Sequence, residues 1–346
     1  MNKYKGAFEW PAMASKRKKK KTAKKRVPRR KAPAKKKRTS WLPRVLILLL
    51  VAVLLISGIY FFGSFETRAN MERVTLATLN SPRTHGATPA PVSRLLDTLY
   101  DVIPSSEGLV VEGGELGRDE ASPFIAGMPH SRQAIRLLRQ PSYSNLFNER
   151  ILQTACIAIR LDDSDRQKAK AFEAPQIDGR MPKLTAQGMT LGKWQPQPIA
   201  PAKALIGQQG ARGASDAQLA TNYVPMPEAF ATGVWAKVMR EFTLRYPERF
   251  GEVWIYLGPA YRPESSKLAS GIALSDAFYA IAFDLTEEGG LRALALLIPS
   301  DAESKSLNDY LTSIAQIEKL TGLQFLPELD FSFRDTLGNY ISPSVW

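Results

Sequence analysis

The residue types that most often perform acid–base or nucleophilic chemistry are scarce in this sequence of 346 residues. It contains two histidines, His85 and His130, and one cysteine, Cys156. A single cysteine excludes an internal disulfide framework and any zinc module that needs several cysteines. Neither histidine can be placed in the order of a Ser-His-Asp triad, and the glycines at 113–117 fit neither a dinucleotide-binding nor a phosphate-binding loop. No standard catalytic motif is therefore visible.

The elements that would position catalytic side chains alternate irregularly between helix and strand patterns. The absence of a βαβ rhythm predicts an α+β fold, in which helices flank a mostly antiparallel central sheet. Residues 162–213 are rich in Pro, Gly, Gln and Lys, and we expect them to be mostly irregular, with a mobile loop around 207–213. Strand patterns cover 153–161, 252–257, 277–285 and 291–298, and helix patterns cover 92–102, 228–246 and 306–320.

Basic charge is concentrated at the N-terminus. Residues 1–44 hold 19 Lys and Arg against one Glu, a net charge of +18, whereas the rest of the chain carries 28 basic and 32 acidic groups, a net charge of −4. Because the stretch is self-repelling and of low complexity, we predict a disordered polybasic tail. Such a tail could bind anionic lipid or nucleic acid, or serve only as a topology signal. The folded part is not drawn to polyanions by its overall charge.

Residues Val45 to Phe65 contain no charged side chain. As a helix, these 21 residues would span about 30 Å, which is the thickness of a bilayer's hydrocarbon core. We therefore predict one transmembrane helix, which attaches the protein to the membrane. Because Lys and Arg precede it and are sparse behind it, the N-terminus is expected in the cytoplasm and the C-terminal part in the periplasm or outside the cell.

The predicted organisation has four parts. The basic tail (1–44) and the transmembrane helix (45–65) are followed by a linker at 66–90, in which prolines and small polar residues are frequent. An exported domain occupies 91–346. With 44% hydrophobic residues overall, the chain has ample material for a core in this domain, so disorder of the whole chain is excluded.

Seven short segments within about 130–330 follow one another in an order that resembles the DNA/RNA non-specific endonuclease family, the sugar-non-specific ββα-metal nucleases. These segments are YSNLFNERILQTACIAIRL (143–161), IAPA (199–202), TNYVP (221–225), GVW (233–235), WIYLGP (254–259), SDAFYAIAFDL (275–285) and IEKLTGLQF (317–325). The resemblance implies a ββα-metal nuclease-like fold and hydrolysis of phosphodiesters.

The resemblance also implies which positions should carry the chemistry. In this family, a His at the end of a strand takes a proton from water, and an Asn on the following helix helps to hold Mg²⁺. The IAPA segment places the His position at Pro198. The TNYVP and GVW segments place the helix Asn at Ala231 and a supporting Glu at Met239. Asn222 matches a family Asn and is the one metal-ligand candidate. With the other positions lost, we expect no cofactor.

Three functional hypotheses follow. The first is a membrane-anchored nuclease-like domain that has lost catalysis and binds an unknown protein or envelope ligand. The second is an active, Mg²⁺-dependent nuclease with a relocated site, for which Glu228 is a possible carboxylate substitute, although its simplest interpretation is a charge in the first turn of a helix. The third assigns the working role to the basic tail, which would tether cytoplasmic nucleic acid or anionic lipid to the membrane.

Overall fold

The structure, a computed structural model, describes residues 42–63, 122–163, 174–262, 264–286, 290–303 and 306–346, together with 168, 170 and scattered positions between 67 and 96. The polybasic tail predicted for 1–44 lies outside the described residues except at its last three positions. Most of the predicted linker at 66–90 and of the helix at 92–102 also lies outside them. These predictions therefore remain predictions.

The first described element is helix α1 (Leu42–Phe62), which coincides with most of the predicted membrane segment. Many of its side chains are exposed, including those of Leu48, Leu54 and Phe62. Counting only the residues that the structure describes, no helix is both long enough and apolar enough to cross a membrane. Membrane insertion of this segment thus remains a prediction.

The remaining elements form an α+β fold. Its strands are β1 (His130–Ser131), β2 (Arg136–Arg139), β3 (Ser144–Asn148), β4 (Gln153–Asp162), β5 (Trp194–Pro198), β6 (Tyr223–Pro227), β7 (Glu252–Ala260), β8 (Ala277–Leu285), β9 (Leu291–Pro299), β10 (Leu311–Thr312) and β11 (Leu323–Gln324). Its helices are α2 (Ala202–Ala217), α3 (228–250), α4 (Ile314–Thr321) and α5 (Phe331–Asn339), and three 3₁₀ turns cover Gln187–Met189, Ala220–Asn222 and Leu307–Tyr310.

Seven antiparallel strands build the central sheet, in the order β10–β9–β8–β7–β4–β3–β2. Two small ribbons, β1–β11 and β5–β6, stand apart from it. The predicted α+β class with a mostly antiparallel sheet is confirmed. All four predicted strands are confirmed as β4, β7, β8 and β9.

The central sheet is covered on both faces, which explains why its strands read as nearly continuous apolar runs. Alternate residues of β8 point to opposite faces. Phe278 and Ala280 belong to one hydrophobic cluster, here called core 1, which also contains the apolar residues of α3. Tyr279 and Ile281 belong to the other cluster, core 2, which α4 and α5 help to cover.

Helix α3 confirms the helix predicted at 228–246 and extends it to 250. It comprises Glu228–Phe230, a π-helical turn at Ala231–Trp235, Ala236–Arg240, a second π-helical turn at Glu241–Arg245, and Tyr246–Phe250. The first π-helical turn contains Gly233, whose backbone is not helical (φ −92°, ψ −108°). Such turns insert an extra residue into a helix and often mark functional positions.

The prediction that residues 162–213 are mostly irregular was wrong in part, because β5 and most of α2 lie within them. Helix α2 consists of two helical pieces joined at Gly210, which adopts φ 57° and ψ −129°. A Cβ at Gly213 would lie 2.0 Å from the carbonyl oxygen of Leu205. The glycines that suggested a mobile loop instead permit a sharp kink and a close approach between the two pieces.

The helix predicted at 306–320 was also wrong at its N-terminal half. Leu311 and Thr312 pair with β9, and α4 begins only after Ser313. The Ser313 side chain accepts a hydrogen bond from the backbone N–H of Gln316, which is the usual role of an N-cap serine. Helix α5 was not predicted from the sequence.

Candidate functional site

The candidate site is built on the ribbon of β5 and β6, which leads directly into α3. Strand β5 reads WQPQP and strand β6 reads YVPMP, and they pair antiparallel with Pro196 opposite Pro225 and Pro198 opposite Tyr223. Because α3 begins at residue 228, directly after β6, the chain forms two antiparallel strands followed by a helix. This is the ββα arrangement that the resemblance implied.

Prolines occur in this ribbon at alternate positions for a physical reason. Just beyond its two ends, Ile199 N–H donates to Asn222 O (2.9 Å) and Glu228 N–H donates to Lys193 O (3.1 Å). Pairs in an antiparallel ribbon alternate between hydrogen-bonded and non-hydrogen-bonded types. The prolines of both strands therefore fall in non-hydrogen-bonded pairs, where the backbone nitrogen points away from the partner strand. The pairing tolerates a missing N–H at those positions.

The three positions that the resemblance assigns to catalysis carry no suitable group. Pro198 is the last residue of β5 and has no titratable atom. Ala231 and Met239 are partly buried and pack against core 1, so α3 uses them for apolar contacts. The structure thus places these residues on the ribbon and helix where the resemblance expected them, with side chains that neither transfer protons nor bind metal.

Asn222, the one metal-ligand candidate, is fully buried and bonded to the backbone on both sides of its amide. Its Oδ1 accepts a hydrogen bond from Ala200 N–H (2.8 Å). Its Nδ2 donates to Ala200 O (3.0 Å) and to Ala217 O (2.8 Å). The side chain therefore joins the start of α2, the end of α2 and the entry to β6.

A buried polar network also holds Thr221, the residue before Asn222. The Arg180 guanidinium pairs with the Asp178 carboxylate (2.6 Å), and both side chains are almost completely buried. Thr221 Oγ1 donates to Asp178 Oδ2 (2.7 Å), and Asn145 Nδ2 donates to Thr221 O (2.7 Å). Burial alone would raise the pKa of Asp178, but the charge of Arg180 and the hydrogen bonds outweigh it and lower that pKa below its usual value.

A cleft of about 530 Å³ opens beside the ribbon. Its polar side chains include Tyr223 and Glu228, and among its described lining residues none is basic. Burial raises the pKa of the Tyr223 phenol above its ordinary value, so this side chain stays neutral at physiological pH. The lining residues are Ala174, Pro175, Gln195, Pro196, Gln197, Pro198, Tyr223 and Glu228.

The residues at the positions that the resemblance assigns do not supply the donor set that Mg²⁺ prefers. This hard cation takes several carboxylate or carbonyl oxygens, with water completing an octahedron. Pro198 and Ala231 offer no side-chain oxygen, and the Asn222 oxygen already accepts a backbone N–H. Within the described ranges, no three His, Cys, Asp or Glu side chains are grouped so that they could hold a metal ion.

Sequence reasoning identified part of this site and missed the rest. His130 lies in β1, opposite Gln324, and does not line the cleft, while His85 lies outside the described residues. The Asp178–Arg180 pair and the lining residue Tyr223 were not predicted, because contacts between distant segments leave no local pattern. The alternating prolines at 196, 198, 225 and 227 could have indicated a two-stranded ribbon in which the proline nitrogens point away from the partner strand.

A comparison with known families agrees with this geometry. Residues 122–332, more than half of the chain, match the family described as DNA/RNA non-specific endonuclease. No curated protein matches the sequence significantly. The matched segment contains the central sheet from β2 to β10, the β5–β6 ribbon and helix α3, so the chain belongs to the DNA/RNA non-specific endonuclease family.

Proposed function

We propose that this protein is a membrane-anchored member of the family whose nuclease-like domain has lost catalysis and acts by binding. The observation that carries the proposal is the joint replacement at Pro198, Ala231 and Met239. A proline ring cannot take a proton from water, and two apolar side chains in core 1 cannot help to bind a cation. The buried amide of Asn222 supports the same conclusion, because its hydrogen bonds are made to the backbone of Ala200 and Ala217.

The membrane anchor and the export of the domain belong to the same proposal. The uncharged run at 45–65 and the 19 basic residues before it support an N-terminus in the cytoplasm. The domain would then act in the periplasm or outside the cell. Its ligand would be a protein or an envelope component that reaches the cleft beside the β5–β6 ribbon.

A nuclease assay on the purified full-length protein in detergent tests the loss of catalysis. Plasmid DNA and a structured RNA are incubated with Mg²⁺ or Mn²⁺, with and without EDTA. We expect no degradation above that of a preparation from cells that lack the protein. Metal-dependent cleavage that co-purifies with the protein and disappears with EDTA would contradict the proposal.

One observation favours a second candidate function, an active nuclease with a relocated site. Glu228 lines the cleft that Pro198 also lines, so a carboxylate is present where a substitute base would be needed. The same assay on the Glu228→Gln variant separates the two functions. A relocated site requires activity in the parent protein that falls by about 100-fold or more in the variant, as expected for loss of a general base.

A further inference from the structure

The cleft runs along the outer edge of β5. Four consecutive residues, 195–198, line it, whereas a sheet face would contribute only alternate residues. Along its other edge, β5 pairs with β6. Among the described residues, the outer edge is paired only at Trp194, whose N–H and C=O bond to Leu191, so the edge at 195–198 has no partner strand there. A ligand in the cleft therefore meets the unpaired backbone edge of this strand.

This backbone edge offers acceptors and almost no donors. The non-hydrogen-bonded positions of β5 are Trp194, Pro196 and Pro198, and their nitrogens point away from β6. Two of these three nitrogens carry no hydrogen. The carbonyl oxygens of the same residues point outward as well, because the N–H and C=O of one strand residue point to the same side. Another strand cannot be added to such an edge, because half of the hydrogen bonds would be missing.

The one charged side chain of the described lining adds a negative charge to these acceptors, whereas Gln195 and Gln197 each bring an amide that can donate as well as accept. Glu228 is exposed and is the one charged residue of the described lining. Within the part of the chain that the structure describes, neither its carboxylate nor the hydroxyl of Tyr223 makes a hydrogen bond or an ion pair. Glu228 also lies in the first turn of α3, so its negative charge offsets the helix dipole that would otherwise attract an anion there.

A phosphodiester group fits this cleft poorly, because its negative charge would lie near the Glu228 carboxylate and its oxygens cannot bond to the outward carbonyl oxygens of β5. A ligand with several N–H donors and a positive charge has the complementary chemistry. We propose that the cleft binds an organic cation with primary ammonium groups, held by the Glu228 carboxylate, the Tyr223 hydroxyl and the outward carbonyl oxygens of Pro196 and Pro198. This inference names the ligand class of the proposed binding site and rests on that proposed function.

The test is calorimetric titration of the full-length protein in detergent. One arm uses spermidine, a free polyamine, and the other uses acetylated trilysine amide, which presents the same ammonium groups on a peptide. We expect saturable binding with one ligand per chain in at least one arm. Glu228→Gln should weaken it about fivefold or more, because one partly exposed charge pair is lost. Glu264→Gln, which removes an exposed carboxylate outside the cleft lining, should leave the affinity unchanged.

The two arms identify the source of the ligand. Tighter binding of spermidine supports a free polyamine, and tighter binding of trilysine supports a lysine-bearing protein partner. Absence of saturable binding in both arms overturns the inference, and so does binding that Glu228→Gln and Glu264→Gln affect equally. The nuclease assay on the same preparation distinguishes the two failures: inert protein without amine binding refutes only this inference, whereas DNA cleavage refutes the loss of catalysis.

Discussion

Two hydrogen bonds join the side-chain amide of Asn222 to the backbone of Ala200. The Asn222 Oδ1 accepts from Ala200 N–H at 2.8 Å, and its Nδ2 donates to Ala200 O at 3.0 Å. Ala200 belongs to the IAPA segment and Asn222 to TNYVP, the two segments that carry the resemblance nearest the site. Asn222 thus fixes the entry to β6 against the segment that leads into α2, and this role does not depend on metal.

Replacing Asn222 should therefore reduce stability. In Asn222→Ala, the N–H and O of Ala200 and the O of Ala217 lose their buried partner. Each buried polar group left without a partner costs about 1–3 kcal/mol, so we expect the free energy of unfolding to fall by about 3 kcal/mol. Denaturant unfolding in detergent measures this change. Asn339→Ala is the matched control, since its exposed amide bonds to Asp335 within α5, and it should change stability by less than about 0.5 kcal/mol.

The same measurement tests the alternative role of Asn222 as a metal ligand. A ligand that binds only the folded state raises the unfolding midpoint once its concentration exceeds its Kd, and the rise grows with the logarithm of that concentration. Because the amide is occupied by backbone hydrogen bonds, we expect the unfolding midpoint of the parent protein to be the same in about 10 mM Mg²⁺, in about 2 mM Mg²⁺ and in EDTA. A rise with Mg²⁺ that Asn222→Ala abolishes would assign the residue to a metal site.

The buried pair of Asp178 and Arg180 predicts a second effect, which depends on pH. The folded-state pKa of Asp178 lies below its value in the unfolded chain, which is about 3.9. Its contribution to stability is therefore fully present above that pH and is lost as the pH falls toward the folded-state pKa. Asp178→Asn should cost about 3–5 kcal/mol at pH 7, because it removes the carboxylate that pairs directly with the buried Arg180 guanidinium. The difference from the parent protein should shrink below about pH 4.

Two further variants separate this buried pair from ordinary surface charge. The double variant Asp178→Leu with Arg180→Met removes both charges, and it should be less destabilised than Asp178→Asn. Arg245→Gln breaks an ion pair with Glu241 in which the arginine is 62% exposed, so it should cost less than about 1 kcal/mol. A pH-independent difference between Asp178→Asn and the parent protein would contradict the assigned electrostatic role.

Most of the central sheet was predictable because its strands are recognisable as apolar runs in the sequence. Strands β4, β7, β8 and β9 are covered on both faces, and the resulting apolar runs are visible in the sequence. The ββα arrangement was inferred only through the resemblance, since β5 contains alternating prolines, which are depleted from strands. The Asp178–Arg180 network could not be predicted, because it depends on a contact of residues 178–180 with Arg139, 41 residues away.

Helix α2 shows why composition misled the sequence reasoning. Three glycines within seven residues reduce helix propensity by about 1 kcal/mol each relative to alanine, which favours a loop. The structure uses two of them for a kink at Gly210 and for the packing of Gly213 against the backbone of Leu205. Such a contact becomes visible only once the two helical pieces are folded together.

The glycines of α2 give a third prediction, with opposite signs at two sites. Gly213→Ala places a methyl group 2.0 Å from Leu205 O, a contact that forces the backbone apart. We expect a loss of about 2 kcal/mol or more in the free energy of unfolding. Gly338→Ala in α5 meets no atom within 4 Å and should stabilise the protein by about 0.5–1 kcal/mol through helix propensity. Equal effects of the two substitutions would contradict the close packing within α2.

The proposed topology gives the last prediction, and the native cysteine makes it simple to test. Cys156 is fully buried, and burial raises its pKa to about 12, so it should not react with maleimides in the folded protein. A cysteine introduced by Ser332→Cys lies on the exposed surface of α5, and one introduced by Ser15→Cys lies in the basic tail. On intact cells, a membrane-impermeant maleimide should label Ser332→Cys and leave both Ser15→Cys and the parent protein unlabelled. After permeabilisation, both variants should react.

Labelling of Ser15→Cys in intact cells would reverse the orientation, and labelling of neither variant before permeabilisation would place the nuclease-like domain in the cytoplasm.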